Sequence, residues 1–192
     1  MSVIRQLSLF GVEASPPGPH DLAGLLIAGG RATLGPAGAQ VSVGVDHPWR
    51  AAALVGECAR RTLAATSVAT GDDPTTVRTE FSPRLVALVQ AWDGGRVPRG
   101  FVLGGHALRL WLIACAHPAP GGAMDLPFGE LDEPGRESIG AALAAVGIGA
   151  LLVTARGGAG HSFRIVGRRR IGRLAEMVGD PPKQAPAGSW PS

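Results

Sequence analysis

Arginines are the side chains in this sequence whose positions best suit chemistry with a polyanion. Arg78 and Arg164 lie in residues 75–81 and 161–166, two segments in which apolar and polar residues alternate. Such alternation is typical of a strand with one buried face, and an arginine on the other face can contact a phosphate or the edge of a guanine. The candidate residues for contact with a polyanion in and beside these segments are Thr76, Arg78, Arg156, Ser162 and Arg164.

No other group of side chains has the composition of a catalytic or metal centre. His47, His117 and His161 have no companions that would complete a set of ligands at metal-binding spacing. The sequence has neither a Gly-x-Ser-x-Gly turn nor a phosphate-binding P-loop. Cys58 and Cys115 lie in apolar helical patterns, which is typical of a reduced cytosolic protein. We predict no catalytic residue, no metal and no cofactor.

The composition indicates a folded protein and excludes two other classes. The chain has 192 residues, of which 45% are hydrophobic and 17% charged, so it does not belong to the strongly charged, weakly hydrophobic class of disordered chains. The apolar stretch 108–116 is too short to span a bilayer, and no signal peptide is visible. The net charge of +3 fits a polyanionic partner. We expect a cytoplasmic, nucleoid-associated protein.

The elements that would position these arginines occur twice. Residues match across an offset of 86, from Leu22 to Leu108, without a gap, and a constant offset over so much of the chain indicates an internal duplication. Other matched pairs are His20 and His106, Asp46 and Asp132, Pro48 and Pro134, Arg50 and Arg136, and Arg78 and Arg164. The predicted parts are a flexible peptide and linker at 1–17, a repeat at 18–93, a linker at 94–103, a second repeat at 104–179, and a disordered Pro-rich tail at 180–192.

Each repeat has the same predicted order of elements, α-β-α-β-β-α, which places the chain in the α+β class. An apolar helix is followed by a Gly/Pro turn, a strand, a second helix, two short strands and a closing helix. Asp46 and Asp132 stand where each second helix begins, with a proline two residues later, so both are predicted to cap that helix. Arg50 and Arg136 are predicted to bridge these aspartates.

The first helix of each repeat carries a motif. Residues 22–30 read LAGLLIAGG and resemble the LAGLIDADG motif, with six of nine positions identical, and the more degenerate copy at 108–116 stands at the repeat offset. The resemblance implies a tandem fold in which two sheets form a saddle over DNA and the two motif helices pack as a central pair. Small residues allow such helices to approach closely. The implied interface residues are Ala23, Gly24, Ile27, Ala28, Ile113 and Ala114.

The departures from the motif concern catalysis. In LAGLIDADG endonucleases an acidic residue near the end of each motif helix binds the divalent metal, and the matching positions here are Gly29 and Cys115. Hard cations such as Mg²⁺ require oxygen ligands, so we expect no nuclease centre. A similarly degenerate motif is found in the WhiA family of regulators. Residues 26–30 of this sequence resemble that motif. Because an internal duplication usually replaces a homodimer, we expect a monomer.

A second resemblance lies near the N-terminus. Gln6, Leu7, Ser8, Leu9 and Phe10 resemble the motif by which bacterial proteins bind the sliding clamp, the beta subunit of DNA polymerase III. The leucine and phenylalanine at its end can fill a preformed apolar cleft, and the glutamine can supply a hydrogen-bonded anchor. A glycine and a Pro-rich linker follow, which suits a tethered peptide. The alternative interpretation is a local β-strand.

These features support one leading hypothesis and several alternatives. The leading hypothesis is a non-catalytic accessory protein of DNA replication or repair that binds the clamp and whose body contacts double-stranded DNA. The first alternative is a WhiA-like DNA-binding regulator without clamp binding. Two others are a nuclease with relocated acids and a clamp competitor that never touches DNA. The arginines can also be solvated edge residues, or can form a salt bridge to the opposite half.

Overall fold

The computed structural model describes residues 15–69, 74–154 and 160–192. The predicted clamp-binding residues 6–10 and the predicted DNA contact Arg156 lie outside these ranges. Within them the chain forms two halves with one element order, α-β-β-α-β-β-α, and both halves contribute to a shared hydrophobic core.

The helices and strands of the two halves follow each other in matching order. The first half contains α1 (Ala23–Ile27), β1 (Arg31–Gly35), β2 (Gly38–Val45), α2 (Pro48–Arg60), β3 (Ala65–Val68), β4 (Thr75–Thr79) and α3 (Val86–Ala91). The second half contains α4 (Gly105–Cys115), β5 (His117–Ala119), β6 (Ala123–Phe128), α5 (Glu133–Ala145), β7 (Leu151–Thr154), β8 (His161–Ile165) and α6 (Arg168–Val178). Among the described residues, no helix is both long enough and apolar enough to cross a bilayer.

Each half contributes one four-stranded antiparallel sheet, with strand orders β1-β2-β4-β3 and β5-β6-β8-β7. This arrangement confirms the predicted α+β fold of duplicated units. The predicted element order is wrong in one respect, because each half has an additional strand, β1 or β5, where the sequence indicated a Gly/Pro turn. Both are short edge strands, and β5 contains a proline, which lacks the N–H that a central strand would need.

The start of the second helix differs between the halves. Asp132 accepts a hydrogen bond from a backbone N–H in the first turn of α5 at 2.9 Å, which confirms its predicted cap. Asp46 instead forms an ion pair with Arg50, in which Asp46 Oδ1 lies 2.9 Å from Arg50 Nε, and α2 has no side-chain cap within the described residues. The predicted Asp46–Arg50 bridge is therefore confirmed and the Asp46 cap is wrong. Arg136 donates to a backbone carbonyl at 2.8 Å rather than to Asp132, so the second predicted bridge is also wrong.

The two halves do not match at a single offset. Ser42 pairs with Arg78 across β2 and β4, whereas Arg164, which lies 86 positions after Arg78, pairs with Asp125. The strands β2 and β6 are therefore related by 83 positions (125 − 42 = 83). The β5–β6 hairpin is shorter than its counterpart by three residues, and the connection to α5 is longer by three. The prediction of a gap-free alignment is wrong, because these two shifts cancel and leave the flanking elements in step.

Residues 180–192 pack on the body, so the prediction of a disordered tail is wrong. Trp190 is 9% exposed, and its Nε1 donates to the Gly179 carbonyl oxygen at 2.8 Å. The guanidinium carbon of Arg109 lies 5.3 Å from the centre of the Trp190 ring, and Arg109 also donates to the Asp180 carbonyl oxygen at 2.5 Å. The prolines already restrict this segment when it is unfolded, which lowers the entropy lost when it docks.

Candidate nucleic-acid interface

Each sheet has one face in the core and one outer face, and the outer face of the second sheet is itself largely buried along its central strand β6. Along β2 and β4 alternate side chains are buried, and Val41, Val43 and Val77 belong to the core beneath the helices. On β4 the residues that alternate with them, Thr76 and Arg78, are exposed. Successive strand side chains point to opposite faces, so the predicted orientation of β4 is confirmed. The strand β8 shows the same alternation.

A row of four polar residues crosses the open face of the first sheet. Strand pairing places Arg31 opposite Ser42, Ser42 opposite Arg78, and Arg78 opposite Thr66. Directly opposed residues in antiparallel strands point to the same face, with their Cβ atoms about 4.5–5.5 Å apart. Both arginines are exposed, and neither forms an ion pair with an acid among the described residues. The first row therefore presents two positive charges to solvent.

The equivalent row on the second sheet is internally neutralised. It consists of His117, Asp125, Arg164 and Leu151. Arg164 donates from Nε to Oδ1 and from Nη2 to Oδ2 of Asp125, each at 2.7 Å, which is the bidentate geometry of a strong guanidinium–carboxylate pair. These hydrogen bonds raise the pKa of Arg164. The hypothesis of a salt bridge to the opposite half is wrong, because the partner of Arg164 is on the neighbouring strand of its own sheet.

Thr76 and Ser162 lie one row away from the two arginines. Thr76 is exposed between Gly44 and Val68, whereas Ser162 is half-buried and lies opposite Pro127. The structure thus brings Thr76 together with Arg78 on one open face, and Ser162 together with Arg164 on the other.

The sequence pattern did not predict the positions of two residues on these faces, Arg31 and Asp125. Arg31 belongs to β1, a five-residue edge strand whose composition indicates a turn. Asp125 matches Ala39 at the offset of 86, but its structural counterpart is Ser42. The strand pairing is the observation that reveals both.

The motif helices have no acidic residue at their C-terminal ends. Gly29 follows α1 with φ of 94° and lies against the backbone of Gly129 in the other half. Cys115 ends α4, and its Sγ donates to the Pro127 carbonyl oxygen at 3.1 Å. Burial raises the pKa of the Cys115 thiol to about 12, and a protonated thiol is a poor metal ligand. The described part of the chain contains no group of three His, Cys, Asp or Glu side chains that could hold a metal ion.

Gly24 brings the two motif helices into backbone contact. A Cβ atom at this position would overlap the carbonyl oxygen of Ala107 and would lie 3.0 Å from the amide nitrogen of Trp111. Ala107 and Trp111 are four residues apart and so lie on one face of α4, a pairing that the motif resemblance did not identify. Of the other interface residues that the resemblance implies, Ala28 is half-buried and four are buried: Ala23, Ile27, Ile113 and Ala114.

A buried ion-pair network attaches α4 to the first half. Glu57 on α2 accepts hydrogen bonds from Arg61 at 2.7 Å and from Arg109 at 2.8 Å, and Arg61 also donates to Asp21 at 2.9 Å. Burial raises the pKa of Glu57, but the hydrogen bonds from Arg109 and Arg61 outweigh burial and lower it below its ordinary value. These charges satisfy one another, which indicates a structural role.

Arg50 fixes the other end of α4. Its guanidinium donates to the carbonyl oxygens of Leu112, Ile113 and Ala116 at 3.1, 2.8 and 2.6 Å. The last carbonyls of a helix lack partners within the helix and carry partial negative charge. A cation from the first half therefore holds the helix where it leads into β5.

Solved structures share this fold. The N-terminal LAGLIDADG domain of DUF199/WhiA matches with a TM-score of 0.60 at 14% identity, over 95% of this chain and 97% of that one. Full-length DUF199/WhiA from Thermatoga maritima matches with a TM-score of 0.62 at 12% identity, over 86% of this chain and 56% of that one. The homing endonuclease I-WcaI, bound to its DNA recognition sequence, matches with a TM-score of 0.58 at 6% identity, over 88% and 84%. The chain therefore has the fold of LAGLIDADG-like domains.

No protein-family model matches the sequence, and no curated protein matches it. At these identities the structural likeness establishes the fold alone. The function has to be argued from the side chains of this chain.

Proposed function

We propose that this chain is a non-catalytic accessory protein of DNA replication or repair. It binds the bacterial sliding clamp through residues 6–10 and contacts double-stranded DNA with the open faces of its sheets. The observation that carries the DNA contact is the row of Arg31, Ser42, Arg78 and Thr66. Arginines bind phosphate or guanine bidentately, and hydroxyl groups bind phosphate oxygens. The likeness to I-WcaI, whose structure contains DNA, supports the proposal.

Clamp binding rests on residues 6–10 and on the position at which the described chain begins. The carbonyl oxygen of Ser15 accepts a hydrogen bond from Nε2 of His106 at 2.8 Å. His106 lies in the first turn of α4, a helix on the buried side of the sheets. Covalent geometry limits the distance between the Cα atoms of Phe10 and Ser15 to about 18 Å. A clamp that holds the peptide would therefore lie within this reach of the start of α4.

Tethering is the physical reason for joining the two contacts in one chain. Two or a few arginine contacts give weak binding to DNA at physiological salt, because each phosphate contact competes with counterions. A clamp that encircles DNA would hold the body near the duplex, and the raised local concentration would make a weak contact effective. The proposal needs no metal, and Gly29 and Cys115 at the ends of the motif helices offer no oxygen ligand from their side chains.

A titration of labelled duplex DNA at several salt concentrations tests the DNA contact. We expect the logarithm of the binding constant to fall with the logarithm of salt, and the slope to become shallower by about 1.8 when Arg31 and Arg78 are both changed to Gln. Arg99→Gln, which removes an exposed linker arginine, is the matched control and should leave the slope unchanged. Equal slopes for wild type and the double variant would remove this row from the interface, and metal-dependent cleavage abolished by chelator would contradict the non-catalytic role.

The second candidate is a DNA-binding regulator of the WhiA kind without clamp binding. The coverage of 95% of this chain and 97% of the WhiA domain favours it. It predicts the same salt-dependent DNA affinity and no affinity for the clamp. Clamp binding is therefore the property that separates the two candidates.

A further inference from the structure

We infer that the two sheets bind DNA unequally: the first sheet makes the contact, and Asp125 withholds Arg164 of the second sheet from it. This inference rests on the proposed DNA-binding function and deepens it, because it names the residue that sets the strength of the contact. It also breaks the twofold symmetry that the duplication would otherwise give to DNA recognition.

A comparison of Arg78 with Arg164 shows which residue causes the difference in free charge between the two sheets. The two arginines are repeat partners on equivalent strands, and each opposes a residue of the neighbouring central strand. The opposing residue is Ser42 in the first sheet and Asp125 in the second. Serine leaves the guanidinium charge uncompensated, whereas aspartate cancels it. One residue therefore decides whether the arginine is available.

The geometry and burial of the Asp125–Arg164 ion pair favour its retention when a phosphate approaches. The side chain of Asp125 is 9% exposed and that of Arg164 is 37% exposed, so the pair is partly shielded from water and its attraction is screened less than that of a fully exposed pair. Both hydrogen bonds are 2.7 Å long and use the Nε–Nη2 edge, one of the arginine edges that suit bidentate binding. A phosphate would also be repelled by the carboxylate.

The residues around the two arginines increase the difference in charge between the open faces of the two sheets. On the second sheet, Nε2 of His117 lies 3.9 Å from Asp125 Oδ2, and the remaining member of the row, Leu151, is 57% exposed and apolar. On the first sheet, Thr66 completes the row. Glu80 lies just past β4 and is exposed, yet it forms no ion pair with Arg31 or Arg78. Among the described residues, free positive charge in these two rows is thus confined to the first sheet.

The test is to give the second sheet the residue that the first sheet has. Asp125→Ser copies Ser42 and should release Arg164, raising the affinity for a labelled duplex on the order of tenfold and steepening the salt slope by about 0.9. Arg164→Gln alone would leave the Asp125 carboxylate unpaired and repel phosphate, so the neutral comparison is the double variant Asp125→Ser with Arg164→Gln, whose affinity should lie within about twofold of the wild type. Arg78→Gln in the wild-type background should weaken the affinity on the order of tenfold.

Matched controls separate release of Arg164 from a general loss of negative charge. Glu137→Gln removes one exposed carboxylate from α5, on the helical side of the second sheet, and should leave the affinity unchanged. The double variant Asp125→Ser with Arg164→Gln should lose the gain. Asp125→Asn keeps the shape of the buried side chain, and it should show a smaller gain than Asp125→Ser because an amide oxygen can still accept from Arg164. Thermal melts of each variant confirm that the fold is retained.

The outcomes distinguish this inference from the proposed function. If the wild type binds duplex DNA and the double variant Asp125→Ser with Arg164→Gln binds it as weakly as Arg78→Gln, the asymmetry is overturned and the DNA function stands. An unchanged affinity in both Asp125 variants, with the fold intact, also overturns it. If neither the wild type nor Asp125→Ser binds DNA at any salt concentration, the proposed DNA contact itself fails.

Discussion

At the residue scale, the presence or absence of a single side chain decides the main contacts of this protein. Gly24 has no side chain and so allows the two motif helices to touch through their backbones. Ser42 and Asp125 occupy equivalent positions and give two arginines opposite availability. Position, charge and size at these few residues matter more than the overall composition of the chain.

The role of Gly24 gives a stability prediction. Gly24→Ala would place a Cβ atom on the carbonyl oxygen of Ala107, a backbone atom that cannot rotate away, so we expect a loss of about 2–3 kcal/mol in the free energy of unfolding. Gly56→Ala is the matched control on α2, where an added Cβ meets nothing within 4 Å, and it should stabilise by about 0.5–1 kcal/mol. Urea denaturation of the two variants measures both, and equal effects would contradict the backbone contact.

Glu57 gives a prediction for the dependence of stability on pH. The pKa of Glu57 lies below its ordinary value of 4.5 in the folded protein, so as the pH falls the unfolded chain takes up this proton first. Its stabilising effect is therefore complete above about pH 5 and is lost as the pH falls through the folded value. Glu57→Gln should cost about 3 kcal/mol at pH 7, because Arg109 would lose its carboxylate and Arg61 would keep only that of Asp21.

As the pH falls from 5 towards the pH at which the protein unfolds, Glu57→Gln should lose less of its free energy of unfolding than the wild type. Urea denaturation at a series of pH values measures this difference. Parallel curves for wild type and Glu57→Gln would show that Glu57 does not titrate differently in the folded and unfolded states.

At the element scale, α4 is the part of the molecule on which most of the others depend. Arg50 fixes its C-terminal end, Glu57 holds Arg109 near its middle, and Gly24 packs against Ala107 and Trp111. Through Arg109, α4 also holds the C-terminal segment 180–192. The helix thus connects the first half, the second half and the tail.

The attachment of the tail gives an element-scale prediction. Trp190 is 9% exposed and its ring lies against the Arg109 guanidinium, so Trp190→Ala should lower the free energy of unfolding by about 3 kcal/mol. Gln184→Ala, at an exposed position of the same segment, should have almost no effect. Limited proteolysis should cut the tail faster in Trp190→Ala alone, and equal rates in both variants would mean that Trp190 does not hold the segment.

The sequence predicted the elements that have strong patterns and missed those that depend on pairing. Periodicity and the repeat offset were sufficient for the helices and for β4 and β8, because each carries its own apolar alternation. The edge strands β1 and β5 are too short to show alternation and exist through pairing with β2 and β6. The three-residue shift between β2 and β6 cannot be seen in the sequence, because the longer connection to α5 restores the offset of 86. The Arg109–Trp190 contact could not be predicted either, because no local sequence pattern relates these two residues.

At the scale of the whole molecule, the proposed partners are assigned to different parts of the chain. Ser15, five residues after the proposed clamp-binding peptide, contacts His106 at the start of α4, and the arginines of the first sheet lie on its open face. Under our proposal, one chain would hold a clamp and DNA together. Under the same proposal, the asymmetry of the two sheets would give one main DNA-contacting surface, on the first sheet.

Calorimetric titration of the full chain into purified sliding clamp tests the central claim most directly. A variant with Gln6, Leu9 and Phe10 changed to Ala is measured beside the wild type, and Arg78→Gln serves as a control that leaves the peptide intact. We predict binding with a dissociation constant of about 1 µM or tighter for the wild type and for Arg78→Gln, and no binding for the peptide variant. Absence of binding by the wild type, or equal binding by the peptide variant, would contradict recruitment through residues 6–10.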